Sequence, residues 1–203
     1  MICYRFAAYG TPLRTVPSSQ PARFNSATDA DPTQYLALHP LGPLAELMRA
    51  ADLRRAEQVR AVRMRTWALE VELDDVPEID FDNTGEFGIS APELVDDDYA
   101  PCQQLASRLR SAMEAVIVPS AALPGTRNLV VFRSRVAAPY LTRPVSSLDV
   151  PASITAEAGR PPVSLVDVVR FRGDPHAALQ AWQRREAYDF REPDWSLLRE
   201  QPN

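Results

Sequence analysis

Four short groupings in this 203-residue chain set side chains where they can act on a bound molecule. Ala22-Arg23-Phe24-Asn25 places an arginine and an amide around an aromatic ring. A guanidinium is a planar fork that meets a diphosphate or a carboxylate through two parallel bonds, and a neighbouring ring can stack a base. From spacing alone the same arginine reads more simply as an exposed surface charge. Tyr35 and Glu46 flank the breaker Pro40-Leu41-Gly42-Pro43, the tyrosine on a short strand and the glutamate in the first turn of the helix that follows. A carboxylate there either serves a ligand or merely complements the helix dipole. Ser120 follows a buried-strand pattern and Pro119, so its hydroxyl either meets a ligand or caps a turn. The fourth grouping, Asp80-Phe81-Asp82-Asn83-Thr84-Gly85, opens like a calcium loop. Ala91 stands at the twelfth position, where a bidentate glutamate is needed, so the segment reads as a solvated acidic loop.

Composition narrows the chemistry these groups can perform. All 22 basic residues are arginine and none is lysine. P-loop ATPases of the usual kind, pyridoxal-phosphate enzymes, Schiff-base aldolases and ordinary protein kinases are excluded, because each depends on a lysine amine. There are 7 glycines and no G-x-G-x-x-G, so any phosphate must be held by arginine forks or helix N-termini. A net charge of -5 and a pI near 5.1 argue against direct nucleic-acid binding. Cys3 and Cys102 form neither a metal motif nor a disulfide framework, and His39 and His176 stand far apart beside prolines, so no metal is expected. With neither a signal peptide nor an 18-residue apolar run, the chain reads as cytoplasmic and free of membrane.

The elements that must position these groups follow from periodicity. Ile2–Ala8 and Gln34–His39 read as strands. Pro43 opens a helix whose Leu44, Leu47, Met48 and Ala51 make a core-facing stripe, with Arg49, Arg54, Arg55 and Arg60 on a solvated face. Trp67, Leu69, Val71 and Leu73 alternate with Glu70 and Glu72 as a half-buried strand. Asp74–Tyr99 carries ten acidic residues and no basic one. A helix from Pro101 sets Cys102, Leu105, Leu109, Ala112, Met113 and Val116 on one stripe, and Cys102 there is a buried structural thiol. Val116–Pro119 and Leu129–Phe132 read as buried strands. Val163–Phe171 reads as another, before a helix capped by Asp174 with Pro175 at its first position. Helices and strands alternate without a regular βαβ rhythm, which points to a mixed α/β or α+β fold. The proline-rich stretch Pro139–Pro162 suggests a core domain over 1–145 and an extension over 146–203, its strand and helix packed on the same domain. Leu179 and Trp182 of that last helix either bury against the core or pair two subunits as a homo-oligomer.

Taken in chain order, Arg5 in Cys3-Tyr4-Arg5-Phe6, Arg23-Phe24-Asn25, Tyr35-Leu36-Ala37, Ala45-Glu46, Val118-Pro119-Ser120 and Asn128–Phe132 resemble the RES domain family over about residues 2–135. That family is named for its arginine, glutamate and serine and includes NAD-consuming toxins of bacterial toxin–antitoxin pairs. The chain departs from it at Pro21-Ala22, where a glycine pair is usual, and at Ser26-Ala27-Thr28, where Pro-Gly is usual. The resemblance implies a fold similar to ADP-ribosyltransferase toxins, a split β-sheet with flanking helices clasping NAD in a cleft. It implies NAD as substrate and cleavage of the nicotinamide–ribose bond through an oxocarbenium-like state. Glu46 would stabilise that charge and hold a ribose hydroxyl, Tyr35 would stack on or orient the nicotinamide, and Ser120 would bond the ribose or nicotinamide side. Arg5, Arg23 and Asn25 would bind the dinucleotide, the arginines at its diphosphate. The acceptor stays open among inorganic phosphate, water and a protein side chain, with phosphorolysis favoured because members of the family are known for it. An Xre-type antitoxin whose tail plugs the cleft is the implied partner. A binding module that keeps the fold without catalysis is the reading from another class.

Overall fold

The computed structural model describes residues 1–6, 12–13, 20–29, 32–132, 136–137, 150–159 and 162–193. Seven strands form one sheet: β1 (Ile2–Phe6), β2 (Gln34–Ala37), β3 (Met64–Val71), β4 (Ala115–Pro119), β5 (Arg127–Val131), β6 (Val136–Ala137) and β7 (Val150–Gly159). Their order is β4-β5-β2-β1-β3-β7-β6, and every neighbouring pair is antiparallel except β6 with β7. The middle of the sheet is its weakest seam. β1 and β2 meet at the single pair Tyr4↔Ala37, whereas β2 follows β5 from Gln34↔Val131 to Ala37↔Asn128 and β1 follows β3 from Ile2↔Glu70 to Phe6↔Thr66. The sheet therefore opens into two halves along β1 and β2, the split arrangement the resemblance implies.

Period-two patterning decides which side of the sheet each strand residue buries. Val116, Val118 and Val130 pack with Cys102, Leu105 and Leu109 of α4 (Ala100–Leu109), which follows the short helix α3 (Ala91–Val95). Their neighbours Ile117, Leu129 and Val131 face the other way, against Cys3, Leu36, Leu69 and Val71. On β3 and just past it, Leu69 and Val71 are fully buried while Glu70 and Glu72 are exposed, as the alternation predicts. A third core joins Leu44, Ala45 and Met48 of α1 (Gly42–Ala50) to Val59 of α2 (Ala56–Ala61) and to Leu165, Val169 and Phe171. Gly42 is required where α1 starts, because a Cβ on it would come 2.3 Å from the Cβ of Ala37 at the end of β2. That close approach seats α1 across the open seam.

Several element boundaries differ from those read in the sequence. α1 begins at Gly42 rather than Pro43, so Glu46 lies past the first turn and a helix-dipole role does not account for it. α4 stops at Leu109, and Val116 belongs to β4 rather than to the helical stripe. Val163–Phe171 holds no strand: Val163–Asp167 is a 3₁₀ turn, with Val169 and Phe171 buried beyond it. The final helix α5 (Ala177–Gln183) is capped by His176, whose Nδ1 accepts from Leu179 N at 3.1 Å, and not by Asp174. α5 buries Ala178 and Ala181, while Trp182 lies 36% exposed with its indole N–H on Asp82. The end of the expected first strand, Ala7 and Ala8, and most of the proline-rich stretch Pro139–Pro162 lie outside the described residues. Among the described residues no helix is long and apolar enough to cross a membrane.

Candidate active site

A cavity of about 440 Å³ lies over the seam between β1 and β2, roofed by α1. Tyr4, Arg5 and Phe6 of β1, Tyr35 and Ala37 of β2, Arg23, Glu46, Arg49 and Asn128 are among the residues that line it. Four of the six residues singled out by sequence thus share one wall-to-wall space: Arg5, Arg23, Tyr35 and Glu46.

Glu46 is half-buried, and its Oε1 accepts from Asn128 Nδ2 at 3.2 Å. Asn128 sits on β5, in the half of the sheet beside α1, and its Oδ1 is buried with no partner among the described residues. A carboxylate and an unsatisfied amide oxygen side by side are two acceptors facing a cavity. Such a pair suits a ligand that brings hydroxyl donors and developing positive charge.

Two arginines on other elements share the cavity with Glu46. Arg5 Nη1 donates to Gln34 Oε1 at 2.6 Å and to Pro12 O at 2.8 Å, which fixes its guanidinium at the seam. Arg23 rides on a two-ended clip in which Ala22 and Asn25 pair through backbone bonds of 2.9 and 3.3 Å. Its Nη1 reaches Leu94 O at 3.3 Å, its guanidinium lies 5.0 Å from the centre of the Tyr99 ring, and its Nη2 is buried without a partner. Phe24 does not stand ready to stack a base: it is 1% exposed and is the hydrophobic root of the clip, packed in the α4 core.

Three side chains hold that clip in place. Gln103 Nε2 on α4 donates to Ala22 O and Asn25 O at 3.0 and 3.2 Å. Arg110 donates to Phe24 O at 3.0 Å. The Tyr35 hydroxyl accepts from Phe24 N at 2.8 Å and donates to Asn25 Oδ1 at 2.9 Å. Burial pushes the Tyr35 phenol above its ordinary pKa, so the hydroxyl keeps its proton and its donor role. Ser26, where Pro-Gly is usual in the family, closes the next turn instead through its backbone N–H and Oγ on Asp29.

Asn25 and Ser120 therefore serve the site from behind its wall. Asn25 is 8% exposed and committed to Tyr35. Ser120 is fully buried, and its Oγ accepts from Leu123 N at 3.1 Å, the turn-capping alternative weighed for it, while Pro119 and Ala121 on either side line the cavity. Cys102 is fully buried with its thiol against Glu93 O at 3.4 Å, and burial raises its pKa, which fits an unreactive packing residue. The Asp80 loop is closed on itself, Asp80 Oδ1 accepting from Asp82 N and Asn83 N.

Arg49 corrects the sequence reading most. Assigned there to a solvated face, it is 4% exposed, lines the cavity and pairs with Asp97. Asp97 comes from the acidic run before α4 and also receives Arg170 at 3.2 Å and Gly173 N at 2.7 Å. Burial alone would raise its pKa, but the Gly173 N–H and the guanidiniums of Arg170, Arg49 and Arg23 hold the carboxyl below its usual value. The three-residue spacing from Glu46 to Arg49 is the one sequence signal that could have marked them as neighbours on one helix face. Nothing local distinguished Asp97 or Arg170.

The model of the RES domain matches residues 3–154. A 71-residue stretch is 34% identical to a probable NAD(+) phosphorylase of Mycobacterium tuberculosis, Rv3189. That match spans 35% of this chain and 34% of the relative, about a third of its length. In the crystal structure of the M. tuberculosis MbcT–MbcA toxin–antitoxin complex, one chain superposes with a TM-score of 0.57 at 22% identity, covering 82% of the present chain and 86% of that one. Identity that low speaks for a shared fold.

Proposed function

The chain belongs to the RES domain family, and from that premise we propose that it cleaves the nicotinamide–ribose bond of NAD with inorganic phosphate as acceptor, as the toxin of a toxin–antitoxin pair. The observation that carries the reading is the Glu46–Asn128 pair sharing one cavity with Arg5, Arg23 and Arg49. Leaving of nicotinamide puts positive charge on the ribose, and the Glu46 carboxylate stabilises it while accepting a ribose hydroxyl. Asn128 positions that carboxylate through Nδ2 and offers Oδ1 to a second hydroxyl. Arg5 and Arg23 hold the diphosphate from the β1 edge and the clip, doing without lysine or a glycine-rich loop. The Tyr35 ring borders the nicotinamide end, while its hydroxyl keeps the Arg23 clip closed.

Phosphate as acceptor is supported by the name of the partly matching mycobacterial relative. An antitoxin partner is supported by the fold shared with a chain from a toxin–antitoxin complex. A plug for this cleft would present acidic groups to Arg5 and Arg23.

The test is release of nicotinamide from NAD by the purified chain, alongside growth arrest on expression. Glu46→Gln should lower the rate by at least a hundredfold and relieve the arrest. It should shift stability by less than about 1 kcal/mol, since the amide oxygen of the variant can still accept from Asn128 Nδ2. A Gln variant that turns over NAD near the wild-type rate removes Glu46 from the chemistry.

A further inference from the structure

The cavity is lined by one guanidinium beyond the diphosphate clamp, that of Arg49. Arg49 and Arg170 pair with the Asp97 carboxylate, whose charge Arg23 also feels, and Asp96, the other acid felt by Arg170, is exposed to solvent. Two of these guanidiniums are incompletely satisfied. Arg49 Nε and Arg23 Nη2 are both buried without a hydrogen-bond partner among the described residues. A buried N–H of a charged group left unpaired is costly, a cost that a bound oxyanion removes. Asp97 cannot fill that role, because its oxygens already serve Arg49 Nη2, Arg170 and Gly173 N.

Position adds direction to this surplus. Arg49 lies three residues after Glu46 on α1, so the two side chains are neighbours on one face and both line the cavity. An anion resting on Arg49 is one helical turn from the carboxylate that faces the ribose. Arg5, in contrast, approaches from β1, across the seam.

We propose that Arg49, flanked by the free Nη2 of Arg23 and buttressed through Asp97 by Arg170, is the seat of the acceptor, an inorganic phosphate dianion. This rests on the function proposed above and assigns its second substrate a place. The step balances without a further reactant. The bond from the anomeric carbon to the pyridinium nitrogen breaks, and its electron pair leaves with neutral nicotinamide. A phosphate oxygen supplies the pair for the new carbon–oxygen bond. The hydrogen of HPO₄²⁻ stays on the product, ADP-ribose 1″-phosphate.

The experiment follows products from NAD over a phosphate titration with the full chain, separating ADP-ribose 1″-phosphate from ADP-ribose. Wild type should saturate in phosphate. Arg49→Gln should need at least tenfold more phosphate for the same product ratio. Because Arg49 also holds Asp97, Arg49→Lys is the companion variant: it keeps the ion pair but not the fork, and should need at least fivefold more. Inorganic phosphate without NAD should also raise the wild-type Tm saturably at constant ionic strength, sulfate should compete, and Arg49→Lys should lose the shift. A product ratio unchanged in both variants, or changed NAD affinity without any change in ratio, overturns the seat and leaves NAD cleavage standing. Wild type that releases nicotinamide but makes ADP-ribose alone, with no phosphate-induced shift in Tm, also overturns it. An Arg49-dependent phosphate shift in a protein that cleaves no NAD supports the anion site and overturns the function proposed for it.

Discussion

Tyr35→Phe separates two jobs that one side chain performs. The ring borders the cavity, whereas the hydroxyl sits between Phe24 N at 2.8 Å and Asn25 Oδ1 at 2.9 Å, closing the clip that carries Arg23. Both partners are nearly inaccessible, Phe24 at 1% and Asn25 at 8% exposure. Stranding a buried donor or acceptor costs about 1–3 kcal/mol for each group, and some of it is recovered where water can follow at the half-buried edge of the tyrosine. A net loss of about 2–3 kcal/mol is expected, or about 4–12 °C in Tm for a domain of this size. Gln103 and Arg110 still hold the clip by its carbonyls, so Arg23 drifts rather than detaches. NAD affinity by calorimetry should fall roughly three- to tenfold, about 0.7–1.4 kcal/mol, with turnover at saturating NAD largely kept because the ring remains. A Tm within about 1 °C of wild type would show that the hydroxyl bears no part of the clip. Collapse of turnover at unchanged stability would show instead that the hydroxyl acts on the substrate, which the observed pairing denies.

Two further outcomes follow from the site and its support. Arg23→Lys should weaken NAD binding at least tenfold by calorimetry, because an ammonium can neither make two parallel bonds to a diphosphate nor stack on Tyr99 as the guanidinium does at 5.0 Å. His176 sets a pH window: Nδ1 accepts from Leu179 N, so Nε2 carries the proton and donates to Ser120 O at 3.0 Å, and burial lowers its pKa from 6.5 to about 4. With the folded value depressed, the neutral ring stabilises the fold above pH 6.5 and that contribution drains away as pH falls toward 4. Urea denaturation should show about 2 kcal/mol lost between pH 7 and pH 5, and His176→Gln should flatten that slope.

Most of the residues singled out for chemistry by type and motif come together around one cavity. The absence of lysine and the shortage of glycine left arginine forks or helix N-termini as the means of holding phosphate, and the resemblance of short motifs in chain order singles out Arg5, Arg23, Tyr35 and Glu46. All four line one cavity. Strand patterning was legible too: alternation in Trp67–Leu73 reports which side is buried, and the continuous apolar run Val116–Pro119 reads as a strand buried on both faces. Helix ends were less so: Pro43 marks a start, but the 2.3 Å approach of Gly42 to Ala37 sets where α1 begins, and that contact joins residues on different elements.

What tertiary structure alone decided is the fate of the charges. A sequence assigns an isolated arginine on a helix to solvent, since burying a guanidinium is costly unless something pairs with it. The partner of Arg49 is Asp97, 48 positions away in a run of acids with no local sign of burial, and their meeting turns a surface residue into part of the cavity. Arg170 reaches the same carboxylate from a segment whose apolar residues read as a strand. Ser120 and Asn25 moved the other way, from candidate ligand contacts to supports behind the wall, because backbone N–H groups and the Tyr35 hydroxyl claimed their oxygens. Spacing along the chain records which groups can do chemistry. Only the closing of β5, α1 and the acidic run around the seam fixes which of them are desolvated, and desolvation is what makes a charge worth placing.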